Sequence, residues 1–240
     1  MKRNLNKNSC LTSNRWKKSL FVFAVLCVGG SGVKTLAAGR IGASQDLMLM
    51  NDTTKMVTGV PLKPEDISPL LVGENIPVLK LLKSSGESFD LNKSVAGKPT
   101  ILVFYRGGWC PYCSKQLSGL QEVDQDLTKM GYQIIAISTD SPENLTKTMV
   151  KQKLSYTLLS DAELNAARKF GIAFKGPRSY DSFLRESSGG KNVNKLLPVP
   201  SVFILNNKGT ILFEYINPDI TERLSASLLK AAAAALRKQI

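Results

Sequence analysis

Apolar and polar positions change rhythm several times along this chain, and the clearest run is Thr100-Ile101-Leu102-Val103-Phe104-Tyr105. Consecutive β-favouring residues after Lys98-Pro99 predict a central strand buried on both faces. Beyond it, Leu117, Leu120, Val123 and Leu127 recur at helical spacing up to Gly131, a C-cap. Tyr132 to Ser138 is a second buried strand. Ser141-Pro142-Glu143 then opens a helix, with Ser at the N-cap, Pro at the first helical position and an acid in the first turn. Tyr156 to Leu159 reads as a third strand, and Asp161 as the cap of a helix running to Phe170. Ser201 to Leu205 and Thr210 to Ile216 flank Asn206-Asn207-Lys208-Gly209, a hairpin signal, and Thr221 to Ile240 closes the chain as a helix. Upstream, Ile76 to Leu82 and Phe89 to Leu91 are short strands around Ser84-Ser85-Gly86. Strands alternating with helices predict an α/β domain, a central mixed sheet flanked by helices.

Three stretches fall outside that rhythm. Residues 39 to 70 are weakly periodic and read as an N-terminal extension before a domain over 71–240. Lys175 to Lys195 is polar and longer than an ordinary connector, which marks it as functional or mobile. Residues 1–38 join a basic leader ending in Arg15-Trp16-Lys17-Lys18 to the apolar run Leu20 to Val28 and then to small residues through Ala37-Ala38. This is the layout of a secretory signal peptide, which places the mature protein in the periplasm or outside the cell. The apolar run is short of the roughly 20 residues a spanning helix needs, so membrane attachment would follow only from an uncleaved leader. Cys27 suggests a lipoprotein site, but Leu26 before it is too large for one.

Charge changes meaning once it is located. The chain of 240 residues carries a net charge of +13, and eight of those charges come from the first 40 residues, which hold no acid. The rest are spread thinly, with no basic stripe or interleaved aromatics, so nucleic acid is not an expected partner.

Export also changes the cysteine arithmetic. Of 4 cysteines, Cys10 and Cys27 lie in the leader, leaving Cys110 and Cys113 in the mature chain. The chain has 0 histidines, which removes His-based triads, Cys-His proteases and most zinc sites together. The pair sits where a buried strand meets a helix. Unpaired N–H groups and the positive dipole end favour a thiolate on Cys110, and Cys113 lies one turn along the same face. A thiolate attacks peroxides and disulfides, and Cys113 can then close an internal disulfide. A purely structural bridge across so short a loop is worth only ~2 kcal/mol, and a metal site would need further ligands that the sequence does not supply. The redox reading is therefore preferred.

The segment Val103-Phe104-Tyr105-Arg106-Gly107-Gly108-Trp109-Cys110-Pro111-Tyr112-Cys113 resembles the active site of the peroxiredoxin-like branch of the alkyl hydroperoxide reductase/thiol-specific antioxidant (AhpC/TSA) family, on a thioredoxin fold. The likeness runs from about Ser68 to Leu236. It includes Leu71 to Pro77, Ser160-Asp161 to Phe170-Gly171, Leu197 to Phe203, and Asn217-Pro218-Asp219 leading into Thr221-Glu222-Arg223-Leu224. The resemblance implies a thioredoxin-like domain with Cys110 as attacking and Cys113 as resolving cysteine, and Pro200 held in cis beside them. It implies no metal and no cofactor. The substrate would be a hydroperoxide and the electron donor a thiol or thioredoxin-like reductant.

Departures from the family pattern leave two functions open. Family members carry Thr or Ser three residues before the attacking cysteine, a proline four residues before that, and an arginine that polarises the peroxide. Gly107 and Val103 occupy the first two places, and Arg106 is the nearby cation, either catalytic or neutralising the strand end. Cys-Pro-Tyr-Cys resembles glutaredoxins, and Trp109 resembles thioredoxins, whose buried carboxylate six residues before the cysteine is replaced by Phe104. The first function is a thiol peroxidase. The second is a thiol–disulfide oxidoreductase that meets proteins through Trp109, Tyr112, Val199 and Pro200. A non-catalytic binding module is disfavoured by the intact pair.

Overall fold

The structure, a computed structural model, describes residues 59–240, so the leader, Cys10 and Cys27 lie outside the described residues. In chain order, β1 (Lys80–Lys83) and β2 (Ser88–Asp90) form a hairpin and run into α1 (Leu91–Gly97). Then come β3 (Thr100–Tyr105), α2 (Pro111–Lys129), β4 (Gln133–Ser138), α3 (Pro142–Gln152), β5 (Thr157–Ser160) and α4 (Asn165–Lys169). The chain ends with β6 (Ala173–Lys175), α5 (Asp181–Ser187), β7 (Leu196–Pro198), β8 (Ser201–Leu205), β9 (Ile211–Ile216) and α6 (Ala226–Leu236).

The main sheet has the order β2-β1-β5-β4-β3-β8-β9, and β6 and β7 form a separate two-stranded ribbon. β3, β4 and β5 are mutually parallel, while β8 pairs antiparallel with β3, so the sheet is mixed. Every residue of β3 is buried, as its continuous apolar run requires. Side chains alternate across it. Leu102 and Phe104 face a core with Leu91 and Val95 of α1 and Ala166 and Ala167 of α4, where Phe104 meets the Phe170 ring at 4.8 Å. Ile101, Val103 and Tyr105 face Leu117, Leu120 and Leu127 of α2, Leu145 of α3, and Leu229 and Ala233 of α6. The second core also holds Cys110 and Cys113. Each large apolar side chain buried here contributes about 1.5–3 kcal/mol of transfer free energy.

Several predicted boundaries move for local reasons. The first strand starts at Lys80 rather than Ile76, because Asn92 takes the Leu79 N–H and donates to the Pro77 carbonyl, replacing ladder bonds. Leu91 belongs to α1 instead of a strand, since Asp90 caps that helix by accepting the Lys93 N–H at 3.0 Å. The last helix begins at Ala226 rather than Thr221: Ser225 is its N-cap, and Asp219 holds the Thr221 N–H in a turn. Asp161 does cap, through the N–H groups of Ala166 and Ala167 at 2.9 and 2.8 Å, but Leu164 intervenes in a left-handed conformation.

Two larger findings concern the aperiodic stretches. Residues 59–70 are not separate from the domain: Val60, Ile67 and Leu70 pack on its core, and the Lys175 N–H donates to the Pro61 carbonyl. Lys175 to Lys195, longer than an ordinary connector, is folded. It contains a short 3-10 turn, Arg178–Tyr180, then α5 with Leu184 fully buried, and Asn192 bonds both the N–H and the carbonyl of Leu196. Among the described residues no helix is long and apolar enough to cross a membrane.

Candidate active site

β3 delivers the chain to the loop Arg106 to Trp109, and Cys110 then serves as the N-cap of α2. Cys110 is extended, Pro111 occupies the first helical turn, where an N–H is not needed, and the Ser114 N–H closes on the Cys110 carbonyl at 3.0 Å. Both thiols are buried and unbridged. The Cys110 pKa falls to about 6, first because the Cys113 thiol donates to it, then because the Cys113 backbone N–H points at it and Arg106 and Arg223 lie near; burial opposes these effects. Cys113 is pushed the other way, chiefly by burial and then by the neighbouring Cys110. The pair is thus polarised, Cys110 being the thiol that ionises readily and Cys113 the one that holds its proton.

Arg106 is buried beside the pair. Its guanidinium lies 4.5 Å from the Tyr180 ring centre and 5.0 Å from that of Trp109, and it forms no ion pair among the described residues. Phe183 of α5 stacks on Trp109 at 5.7 Å. The stretch after Lys175 therefore supplies an aromatic wall to the site. A cavity of about 310 Å³ opens beside it, lined by Gly108, Trp109, Asp140, Thr148, Lys151 and Phe183 among others.

Gly107 shows why a hydroxyl residue is missing. Its φ is +154°, and a Cβ there would run into the Trp109 indole nitrogen and lie 2.8 Å from an Asp140 carboxylate oxygen. Trp109 and Asp140 thus fill the space a threonine side chain would need.

Besides Tyr180 and Phe183, two more site residues escaped the sequence reading. Asp140, just after β4, accepts the Gly108 N–H at 2.7 Å and the Ser138 hydroxyl at 3.2 Å. Burial raises its pKa to about 6. The absence of a carboxylate at position 104 is therefore not the absence of one from the site, because the neighbouring strand provides it. Arg223 places Nη2 3.8 Å from Cys113 Sγ, so Arg106 is not the only nearby cation. Its sole sequence signal is its place in the stretch Thr221 to Leu224.

The remaining predicted residues divide. Tyr112 is 43% exposed, Pro111 is exposed and Trp109 is half-buried at the mouth of the site. Val199 and Pro200 are buried instead of surface residues. Pro200 is also not cis, since no peptide bond among the described residues is. The extended trans link carries the chain from β7 to β8 with its polar groups paired: Val199 N–H to the Ile172 carbonyl, Val199 carbonyl to the Ser201 hydroxyl, and Pro200 carbonyl to the Asn217 N–H. Trans is also the intrinsically favoured X–Pro isomer.

Residues 72–213 match the model of the AhpC/TSA family. The chain is 33% identical over 132 residues to peroxiredoxin Bcp of Escherichia coli, an alignment covering 51% of this chain and 83% of that protein. The fold resembles the crystal structure of peroxidoxin BcpB from Mycobacterium tuberculosis, with TM-score 0.56 and 21% identity over 70% of this chain and 96% of that one. It also resembles peroxiredoxin Q of Xanthomonas campestris, with TM-score 0.54 and 19% identity over 68% and 97% of the two chains. The family model spans more than half of the chain and the solved relatives share its fold, so the chain belongs to the AhpC/TSA family and is a thiol-dependent oxidoreductase with a thioredoxin-like fold.

Proposed function

We propose that this protein is an exported thiol peroxidase that reduces hydroperoxides through a Cys110/Cys113 disulfide cycle. The observation that carries this reading is the Cys110 thiol at the start of α2, with a pKa of about 6 and a protonated Cys113 beside it. At neutral pH the Cys110 thiolate attacks the distal peroxide oxygen; the O–O bond breaks, Cys110 becomes a sulfenic acid, and the alkoxide leaves with a proton as alcohol or water. Cys113 then forms the disulfide and releases water. A thiol or thioredoxin-like donor returns both electrons by exchange.

Two further features support a small substrate over a protein disulfide. Val199 and Pro200 are buried with their backbone groups already paired, which removes half of the contact surface that exchange with proteins would use. The cavity beside Trp109, lined by Gly108 and Trp109 but by neither cysteine, has the size of a small-molecule pocket next to the loop that presents Cys110. Export rests on the pattern of residues 1–38.

Stopped-flow mixing of the reduced protein with hydrogen peroxide and with an organic hydroperoxide tests the reading. Oxidation much faster than that of a free thiol is expected. If oxidation matches a free thiol while a protein disulfide is reduced quickly, the peroxidase reading is wrong. Cys113→Ser is expected to trap a sulfenic acid on Cys110, where a mixed disulfide with protein would favour the other function.

A further inference from the structure

Arg223 reaches the second cysteine from a distant part of the chain. Nη2 lies 3.8 Å from Cys113 Sγ, within range of an N–H···S hydrogen bond, while Nη1 donates to the Glu222 carbonyl at 2.7 Å. The backbone is fixed on both sides. Asp219 holds the Thr221 N–H at 2.8 Å, and Ser225 caps α6 through the Leu228 N–H at 3.2 Å. Leu229 and Ala233 of α6 share one apolar core with Leu117 and Leu120 of α2. The segment carrying Arg223 and the helix carrying Cys113 are therefore held as one unit.

Cys113 is the thiol that needs help. It is fully buried, and burial is the main reason it resists ionisation. The groups facing it are Cys110 at the head of α2, the backbone of Arg106 after β3, Tyr105 of β3, and Arg223, while the Arg106 guanidinium lies near Cys110. Of the two cations, Arg106 is engaged by the rings of Tyr180 and Trp109, whereas Arg223 points a donor at the sulfur itself.

We propose that Arg223 prepares Cys113 for resolution, its guanidinium holding the sulfur as a thiolate while it attacks oxidised Cys110. This rests on the disulfide cycle proposed above. In the step, the Cys113 sulfur forms a bond to the Cys110 sulfur and the S–O bond of the sulfenic acid breaks. The departing hydroxide combines with the proton released by Cys113 to give water, and no other reactant is consumed. Cys110 is reduced from the sulfenic level as Cys113 is oxidised, and both end in the disulfide.

The first test needs no peroxide. In a Cys110→Ser background, the thiolate absorbance of Cys113 near 240 nm is titrated with and without Arg223→Met. Loss of one adjacent cation is expected to raise the midpoint by about 1 unit, and Arg223→Lys is expected to recover most of it. Should Arg223→Met not fold, Arg223→Gln serves the same comparison. The second test keeps both cysteines, at pH 8. Arg223→Met is expected to slow decay of the sulfenic acid by about tenfold relative to the variant's own rate of Cys110 oxidation, and to yield sulfinic acid at lower peroxide concentrations. An unmoved Cys113 midpoint, or resolution as fast as in the parent, overturns the proposal. A raised midpoint with Cys110 inert to peroxide overturns the peroxidase reading alone, and the assignment of Arg223 to Cys113 stands.

Discussion

The Asp140 carboxylate accepts the N–H of Gly108 at 2.7 Å, tying the loop that presents Cys110 to the strand beside it. A buried carboxylate in this position couples the geometry of the loop to its own protonation.

That coupling sets a pH dependence. Burial raises the Asp140 pKa to about 6, above the unfolded value of roughly 3.9, so the folded state holds this proton more tightly. The contribution to stability is fully present below about pH 4 and is lost as pH rises through about 6. Asp140→Asn keeps an acceptor for Gly108 but does not titrate. Denaturant unfolding of both proteins between pH 4 and 7 should show the parent losing ~2–3 kcal/mol relative to the variant. Parallel pH curves would contradict the assignment.

Cys110 has the opposite sign. Its thiolate absorbance should titrate with a midpoint at about 6, and peroxide reactivity should rise with pH through that value and then level off. The Cys113 thiol is the largest cause, so Cys113→Ala is expected to raise the midpoint by about 1 unit or more, and Cys113→Ser, which retains a donor, by less. Equal midpoints in the two variants would remove the hydrogen bond as the cause.

Arg106 is held by two aromatic faces, a geometry that suits a planar guanidinium better than an ammonium. Arg106→Lys should therefore behave more like Arg106→Met than like the parent. Both are expected to raise the Cys110 midpoint and to lower stability by about 1–3 kcal/mol, as read by 240-nm titration and denaturant unfolding. Full recovery by lysine would show that charge alone matters.

Gly107→Thr restores the family's hydroxyl on paper but meets both a positive φ and occupied space. Backbone strain and overpacking together should cost ~2–5 kcal/mol, and peroxide reduction should fall rather than rise. Unfolding curves and stopped-flow rates check this directly; a stable and faster variant would refute the steric account.

Local signals carried much of the molecule. The run Thr100–Tyr105, the proline after Cys110 and the helical spacing of Leu117, Leu120 and Leu127 fix the strand, the helix start and the placement of the cysteines, because each is decided by near neighbours. What escaped is remote in sequence. Asp140, Tyr180, Phe183 and Arg223 reach the site through sheet order and helix packing, which no local period encodes. The resemblance misled at Pro200, where paired backbone groups hold an extended trans link. At Asp90 and Asp219 a turn-forming carboxylate was present in the sequence but was outweighed by the apolar or helical pattern around it.

The crowding around Gly107 also bears on how such a site changes over generations. A side chain at 107 collides with both Trp109 and Asp140, so the three positions are interlocked. No single replacement passes from this arrangement to one with threonine at 107 without a strained intermediate, and effects measured one at a time should not add. A side chain at 107 finds room only where Trp109 and Asp140 have given way first, so the order of the changes decides which sequences can be reached.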